Sequence, residues 1–148
     1  GVPGAALRTS FIVGFPGETE KHFEALLDFV REVAFERVGV FEYSEEEGTV
    51  AARMEKQEPA RLRKERRRRL MAAQRAVSAR LMRARVGGTE RVLVEKDGRG
   101  AWGRTAREAP GVDGRVLLRG NGWRRGGFAP ARIVEASDYD VTAQRASR

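Results

Sequence analysis

FIVGFPGETE, residues 11–20, is the stretch that decides the fold of the first part of the chain. A run of aromatic and β-branched residues leads into a Gly-Phe-Pro-Gly turn, and a Glu-Thr-Glu segment that favours the start of a helix follows at once. This order predicts a buried strand whose carboxyl end turns into a helix. In α/β proteins, ligands bind at such strand ends.

The residues around this turn predict one βαβ unit. Residues 7–15 predict the first strand, and Thr19 is placed to cap a helix over residues 20–33, whose apolar residues recur at helical spacing. Residues 37–43 predict a second strand parallel to the first. One such unit does not close a sheet, so we expect further strands from other polypeptide to complete it.

The remainder predicts a long helix followed by a small all-β domain, so the fold class is α/β plus all-β. The helix is predicted to begin at Pro59 and to end at Gly87-Gly88. Five short segments separated by glycine-rich turns then predict an antiparallel, OB-like barrel. Pro130 lies in the fourth segment and predicts an edge strand or a bulge. The segments are residues 91–95, 101–105, 115–118, 128–135 and 139–143.

The net charge of +8 is unevenly distributed. Residues 1–52 carry 4 basic and 10 acidic side chains, residues 53–85 carry 13 and 3, and residues 86–148 carry 12 and 8. This pattern indicates two modules joined by a basic helix, with a polyanion such as RNA as a neighbour. A general arginine bias of the genome is the alternative. Arg66–Arg69 accordingly either contact phosphates or are solvated.

The chain contains no cysteine and a single histidine, His22, which we interpret as structural. Disulfides and thiolate metal sites are therefore excluded, and we assign neither a catalytic residue nor a metal ligand. No apolar run approaches the ~20 residues that span a bilayer, so we expect no membrane partner. The lack of cysteine and a first residue in mid-pattern together indicate the tail of a larger enzyme whose hardest chemistry occurs upstream.

Seven residues at the two predicted strand ends are candidates for a cofactor-binding wall. Glycines let a ligand approach the backbone, apolar side chains pack against a purine, and hydroxyls form hydrogen bonds. Turn geometry and core packing are the alternatives. The nearby Glu18 is interpreted as favourable charge at a helix N-terminus, and Glu45–Glu47 as solvated charge. The candidates are Ile12, Gly14, Phe15, Gly17, Tyr43, Gly48 and Thr49.

Aromatic and arginine residues in the predicted barrel indicate a docking surface. Aromatic rings stack on bases and guanidinium groups neutralise phosphates, and the same residue types dominate protein interfaces. RNA and protein therefore both remain candidate partners of this surface, and core packing is a further alternative for Trp102. The candidates are Trp102, Arg104, Trp123, Arg124 and Arg125.

Residues 7–20 (LRTSFIVGFPGETE) and 43–52 (YSEEEGTVAA) resemble a late barrel strand and the tail of the next strand in the radical S-adenosylmethionine methylthiotransferases. The small barrel resembles the TRAM domain that these enzymes carry. The resemblance covers nearly the whole chain in the same order. It implies the C-terminal part of a radical-SAM barrel at 1–56, a basic connector helix at 57–87, a TRAM domain at 88–143 and a frayed tail at 144–148.

Two branches of that family are candidates. One modifies an aspartate of the small-subunit ribosomal protein S-twelve, and the other modifies an adenosine of transfer RNA. Glu46–Thr49 and Thr9-Ser10 are similar to the ribosomal-protein branch, as are residues 103–114 (GRTAREAPGVDG) and 136–140 (ASDYD). The resemblance thus implies a cytoplasmic transferase that adds a methylthio group to the aspartate β-carbon, with protein S-twelve or the small ribosomal subunit as partner.

The same resemblance implies S-adenosylmethionine and two 4Fe-4S clusters as cofactors of the whole enzyme, with the cluster cysteines outside this chain. The chain itself is expected to complete one wall of the cofactor pocket, to dock the substrate, and to be inactive alone. A stand-alone RNA-binding module, with a basic helix and small barrel but no attached catalysis, is the alternative from a different class.

Overall fold

The computed structural model describes residues 4–146, which divide into two compact units. We call residues 6–77 the N-terminal unit, and residues 78–146 with residues 4 and 5 the barrel unit. The predicted boundaries at residues 56 and 87 differ from this division, which falls inside a helix. Within the described part of the chain, no helix has both the length and the apolar character needed to cross a bilayer.

The N-terminal unit contains the predicted βαβ arrangement. Strands β1 (Arg8–Val13) and β2 (Arg37–Glu42) are parallel, and helix α1 (Glu20–Val33) connects them. Thr19 caps α1, because its hydroxyl accepts a hydrogen bond from the His22 backbone N–H. The His22 side chain accepts one from the Thr19 N–H in return, so the structural interpretation of His22 is confirmed.

One face of this small sheet is covered and the other is not. Alternation along β1 turns Phe11 and Val13 towards α1, whereas Ile12 is exposed. Helix α2 (Ala60–Ala84) adds Leu70 to the covered face. The buried cluster consists of Val13, Phe23, Leu27, Val30, Val40 and Leu70.

Helix α2 begins directly after Pro59, as predicted, and a short 3₁₀ turn at Ala51–Arg53 precedes it. It ends three residues before Gly87, where the chain enters the barrel. The division between the two units falls between Val77 and Ser78 of this helix. Helix α2 therefore contributes residues to both hydrophobic cores.

Five strands form a closed barrel in the order β3-β4-β5-β7-β6. The strand bounds are β3 (Thr89–Lys96), β4 (Trp102–Arg104), β5 (Val116–Arg119), β6 (Phe128–Ala136) and β7 (Val141–Arg145). Four pairings are antiparallel, but β5 and β7 run parallel, so the fully antiparallel prediction is wrong for this pair. The sequence between β5 and β7 contains all of β6, and such a long connection can bring the chain back in either direction.

Two further expectations about the barrel are corrected. Closure leaves no edge, and Pro130 pairs with Arg91 of β3, so the edge-strand prediction is wrong. The irregularity in β6 lies between Ile133 and Glu135, not at Pro130. Strand β7 includes residues 144 and 145, which pair with β6, so the frayed tail predicted from residue 144 is wrong there, and residues 147 and 148 lie outside the described part.

The interior of the barrel is filled by small and branched side chains that alternate with outward-facing ones. Met82 of α2 packs against these side chains and is part of the same hydrophobic cluster. Its buried members are Met82, Val92, Val94, Ala101, Val116, Leu118, Trp123, Ala129, Ala131, Ile133, Val141 and Ala143.

Candidate cofactor wall and docking surface

Gly14 occupies a tight position at the carboxyl end of β1. Its φ of +72° is in the left-handed region, and its N–H donates to Glu18 Oε1 at 3.1 Å. A Cβ at Gly14 would lie 2.3 Å from Cγ of Arg63. The missing side chain thus makes room for Arg63, and the place of Gly14 in the cofactor wall stays a prediction.

Gly17 and Gly48 differ from Gly14 in having open surroundings. Both have positive φ, of +80° and +83°, and a Cβ on either would meet no atom within 4 Å. The Gly17 N–H donates to the Lys56 carbonyl at 2.8 Å. Their backbones are accessible for a close approach, and their place in the cofactor wall stays a prediction.

The uncovered face of the β1–β2 sheet is apolar at its carboxyl end. Ile12 is 58% exposed and Phe15 43% exposed. Ile12 is paired in register with Phe41, a third large exposed side chain that the sequence reasoning missed. Alternation along RVGVFE would have identified Phe41, because it places residue 41 opposite the buried Val40. An exposed apolar cluster of this kind marks a face that contacts a ligand or another polypeptide.

Tyr43 lies beneath this face and is only 8% exposed. Its ring makes an edge contact with Phe15 at 5.3 Å between centroids, and its N–H continues the sheet by donating to the Val13 carbonyl. The phenolic hydroxyl is buried without a hydrogen-bond partner among the described residues. An unpaired buried hydroxyl destabilises the folded state by about 1–3 kcal/mol, and a buried water molecule commonly supplies the missing hydrogen bond. Because the Tyr43 ring is buried and contacts the Phe15 ring, it supports Phe15 in the candidate wall.

The Thr49 hydroxyl is used within its own turn. It donates to the Glu46 carbonyl at 2.8 Å and accepts from the Ala52 N–H at 3.1 Å. These bonds hold Gly48 in its turn, so the role of Thr49 in the candidate wall is to fix the backbone. Glu45–Glu47 are exposed, which agrees with their interpretation as solvated charge.

Two of the four arginines in the run Arg66–Arg69 of α2 are paired with acidic residues of the same unit. Arg66, although buried, binds Glu18 through Nη1 at 2.7 Å to the carboxylate and 2.9 Å to the carbonyl. Arg69 pairs with Glu20 at 2.6 Å and with Glu24. The hydrogen bond from Arg69 lowers the pKa of Glu20. The charge imbalance seen in the sequence is therefore in part neutralised internally, and of the run Arg66–Arg69 these two are not available for phosphates.

This chain cannot bind a metal through thiolate ligands, because the sequence contains no cysteine. Among residues 4–146, His, Asp and Glu side chains form no group of three that could hold an ion. An iron–sulfur cluster bound by thiolates does not fit the residues present.

On the barrel, the two candidate tryptophans have different environments. Trp102 is half-buried on the outer face, with the Arg115 guanidinium 4.2 Å from its ring centroid. Trp123 is only 6% exposed, and its Nε1 donates to the Arg119 carbonyl at 3.0 Å. Trp123 therefore belongs to the core, and its predicted docking role is corrected.

The three candidate arginines also differ. Arg104 donates to Glu95 at 2.7 Å, so its charge is already neutralised. Arg124 and Arg125 are exposed at a turn, and neither guanidinium forms an ion pair among the described residues, although the Arg125 backbone N–H donates to Asp97 Oδ2 at 3.3 Å. They line two neighbouring clefts of about 470 and 410 Å³ respectively. Trp102, Arg124 and Arg125 are thus the candidates that remain available to a partner.

Other residues of this surface were missed. Phe128 is 59% exposed and lines the larger cleft with Arg145, and the Arg91 guanidinium lies 4.2 Å from the Phe128 ring centroid. The alternation along FAPARIVEA would have placed Phe128 outside, since Ala129 and Ala131 are buried. Because the strands adjoin only in the folded barrel, sequence spacing does not reveal the contact with Arg91.

A buried ion-pair network fixes the start of the barrel and was also missed. Arg85 binds Glu90 at 2.9 Å and Glu108 at 2.7 Å, and Glu108 accepts two further bonds from Thr105. Burial raises the pKa of Glu108, but the charge of Arg85 and the Thr105 hydrogen bonds lower it by more, so its pKa lies below the ordinary value. The network is structural, since it faces no cleft described above.

Comparison with known proteins gives two results. Residues 86–145 match the TRAM domain family, which confirms the predicted resemblance of the barrel. The chain is also similar to proteins named "Ribosomal protein uS12 methylthiotransferase RimO". It is 48% identical over 146 residues to the protein of a Synechococcus species and 48% identical over 145 residues to that of Desulforudis audaxviator. The protein of Trichlorobacter lovleyi is 46% identical over 147 residues.

Each of these matches covers 97% of the chain and 31–33% of the relative. The chain therefore spans about a third of the length of the relatives it matches. The resemblance to methylthiotransferases of the ribosomal-protein branch is confirmed, and the chain is a homologue of the corresponding third of the RimO proteins.

Proposed function

We propose that the chain acts as part of a radical S-adenosylmethionine methylthiotransferase that modifies an aspartate β-carbon of ribosomal protein uS12. The observation that carries this proposal is the 48% identity to a RimO protein across 97% of the chain, which includes both units. In this proposal, β1, α1 and β2 are the closing part of a radical-SAM barrel, and the five-stranded TRAM barrel docks the substrate. The site of action would be the cytoplasm, where ribosomes are assembled.

The uncovered face of β1 and β2 fits a wall for S-adenosylmethionine. Ile12 and Phe15 offer exposed apolar surface for a purine, while Gly17 and Gly48 leave the backbone open beside them. Tyr43 supports Phe15 from below. When bound, one S-adenosylmethionine would supply the radical that removes the β-hydrogen, and a second molecule would supply the methyl group that is transferred.

The two 4Fe-4S clusters of the family do not fit this chain, because no cysteine is present to bind them. Their ligands would belong to other polypeptide. We accordingly expect the 148-residue chain alone to transfer no methylthio group. Its own contributions are to shape one side of the cofactor pocket and to present Trp102, Arg124 and Arg125 to the uS12-bearing partner.

A chimera tests the proposed function. The RimO protein of Desulforudis audaxviator, with this chain in place of the homologous third, would be incubated with uS12, S-adenosylmethionine, a sulfur source and a reductant. We expect mass spectrometry to find one methylthio group on a uS12 aspartate. Modification of a transfer-RNA adenosine instead would assign the chain to the other branch. Cleavage of S-adenosylmethionine without modification of either substrate would contradict the proposed substrate.

A further inference from the structure

The part of helix α2 that belongs to the N-terminal unit, residues 60–77, is strongly basic. It contains eight arginine and lysine residues and a single acidic residue. Half of the basic side chains bind carboxylates or backbone carbonyls of the same unit, so the protein itself already uses these cations. They are Arg63, Arg66, Arg67 and Arg69.

Three other cations of this segment, Arg61, Lys64 and Arg68, lie on one outward face of the helix. They are spaced by three and four residues, which places them on the same side of an α-helix. All three are exposed, and their side chains form no hydrogen bond or ion pair among residues 4–146. Leu70, nine residues after Arg61 and therefore on the opposite side, is fully buried. We call Arg61, Lys64 and Arg68 the outer stripe.

The helix that carries the outer stripe does not offset its charge. The first turn of α2 contains Arg61 but no acidic residue, although the helix dipole is already positive at that end. Glu58 and Glu65, the nearest carboxylates in sequence, are half-buried and form no ion pair among the described residues. Cations three or four residues apart repel one another and destabilise a helix. A bound polyanion would relieve this repulsion.

We propose that the outer stripe binds the phosphate backbone of an RNA duplex in ribosomal RNA. The stripe is a straight row about 10 Å long on a rigid helix, which suits phosphates that a duplex also holds at fixed positions. Residues 60–77 contain no aromatic side chain on which an unpaired base could stack. Contact with the backbone alone carries no direct sequence readout, so the stripe would position the protein rather than select a sequence.

The choice of ribosomal RNA rests on the proposed function, because a ribosomal protein is the proposed substrate. Binding of a duplex by the stripe does not depend on the transfer reaction. The surface also belongs to the N-terminal unit, and no residue of the barrel contributes to it. The proposed function and the role of the stripe can therefore be tested separately.

Lysine footprinting locates the bound RNA on the unaltered chain, which has lysines only at positions 21, 56, 64 and 96. The 148-residue chain is mixed with an RNA duplex of about 16 base pairs, a length that double-stranded RNA-binding domains span. It is then acetylated briefly and analysed by mass spectrometry. We expect the duplex to protect Lys64, whereas Lys21, which is exposed on α1, should react as it does without RNA. Polyglutamate and phosphatidylglycerol vesicles are compared in parallel.

Salt dependence counts the phosphate contacts. Anisotropy titrations with a labelled duplex at several KCl concentrations give the slope of log affinity against log salt. Lys64→Gln should reduce the magnitude of this slope by about 0.9, which corresponds to one lost phosphate contact on a duplex. Arg61→Gln/Arg68→Gln should reduce it by about 1.8. Lys21→Gln is the matched control and should leave it unchanged. Circular dichroism verifies that each variant keeps its helix content.

The proposal is overturned if Lys64 stays reactive in the presence of the duplex, or if polyglutamate or the vesicles protect Lys64 as well as RNA does. It is also overturned if Lys64→Gln and Lys21→Gln have the same slope. The chimera described above separates the two proposals. A chimera that modifies uS12 while Lys64 remains unprotected rejects the stripe alone. Protection of Lys64 with a chimera that modifies neither substrate supports the stripe and rejects the proposed function.

Discussion

Arg63 occupies the space that a side chain on Gly14 would require: a Cβ at Gly14 would lie 2.3 Å from Cγ of Arg63. The Arg63 guanidinium in turn donates to the Tyr43 carbonyl at 2.7 Å. Because Gly14 directly follows β1 and Tyr43 directly follows β2, this one arginine of α2 contacts both strand ends of the candidate wall. The glycine therefore serves the wall indirectly, by letting α2 pack against it.

Gly14→Ala should destabilise the N-terminal unit more than Gly17→Ala. Both glycines have positive φ, which costs an alanine about 1–2 kcal/mol. Only Gly14→Ala adds a steric conflict, with an expected further cost of about 1–3 kcal/mol. Urea unfolding followed by helical circular dichroism measures both variants. Equal losses of stability would show that Arg63 moves aside without cost.

Arg66 and Arg68 are two residues apart on α2 and should respond very differently to substitution. Arg66→Ala leaves the partly buried Glu18 without its partner, which should cost about 3–5 kcal/mol. Arg68 is exposed, so Arg68→Ala should change stability by no more than about 0.5 kcal/mol. The same unfolding measurement applies. A small effect of Arg66→Ala would mean that water readily replaces the guanidinium.

Glu108 should make the barrel sensitive to acid. Its pKa is lower in the folded than in the unfolded protein, so the unfolded chain binds the proton more tightly. The stabilisation is therefore complete above the unfolded pKa, near the ordinary ~4.3, and is lost as the pH falls through the folded pKa.

Tryptophan fluorescence, which reports on the barrel because both tryptophans lie there, can follow urea unfolding at a series of pH values. Glu108→Gln should be less stable than the wild type at neutral pH, and the difference should shrink on acidification. Stability curves that stay parallel down to low pH would contradict the assigned role of Glu108.

Trp123 should behave as a core residue and Trp102 as a surface residue. Trp123→Ala should cost about 3–5 kcal/mol, because it opens a cavity and removes the bond to the Arg119 carbonyl. Trp102→Ala should cost less, since its ring is partly solvated already. Thermal unfolding followed by far-ultraviolet circular dichroism compares the two variants. The reverse order of melting temperatures would restore Trp123 as a docking candidate.

Local patterns predicted much of the fold. Helix α1 has the predicted bounds, because the Thr19 cap and the apolar spacing are both encoded within a few residues. The parallel pairing of β5 with β7 was missed, since a strand's partner depends on a connection that passes through β6. Turn signals locate strands but do not determine the direction of a distant pairing.

The candidate sites were less predictable because they depend on residues far apart in sequence. The bond from Arg66 to Glu18 joins residues 48 positions apart, so the charge pattern alone suggested an external polyanion for the whole run. Trp123 and Trp102 look alike in sequence, and only the folded barrel distinguishes the buried ring from the one on the surface. Exposure and pairing, which decide whether a residue is available, are properties of the fold.

The most direct test of the central claim compares two identical substitutions in the chimera described above. Ile12→Glu places a charge on the candidate wall, whereas Leu7→Glu places it just before β1, at the opposite end of that strand, where the side chain is also exposed. Equilibrium dialysis would measure S-adenosylmethionine binding. We predict at least about tenfold weaker binding for Ile12→Glu, which corresponds to about 1.4 kcal/mol, and no change for Leu7→Glu. Equal affinities in the two variants would contradict the assignment of this face to the cofactor.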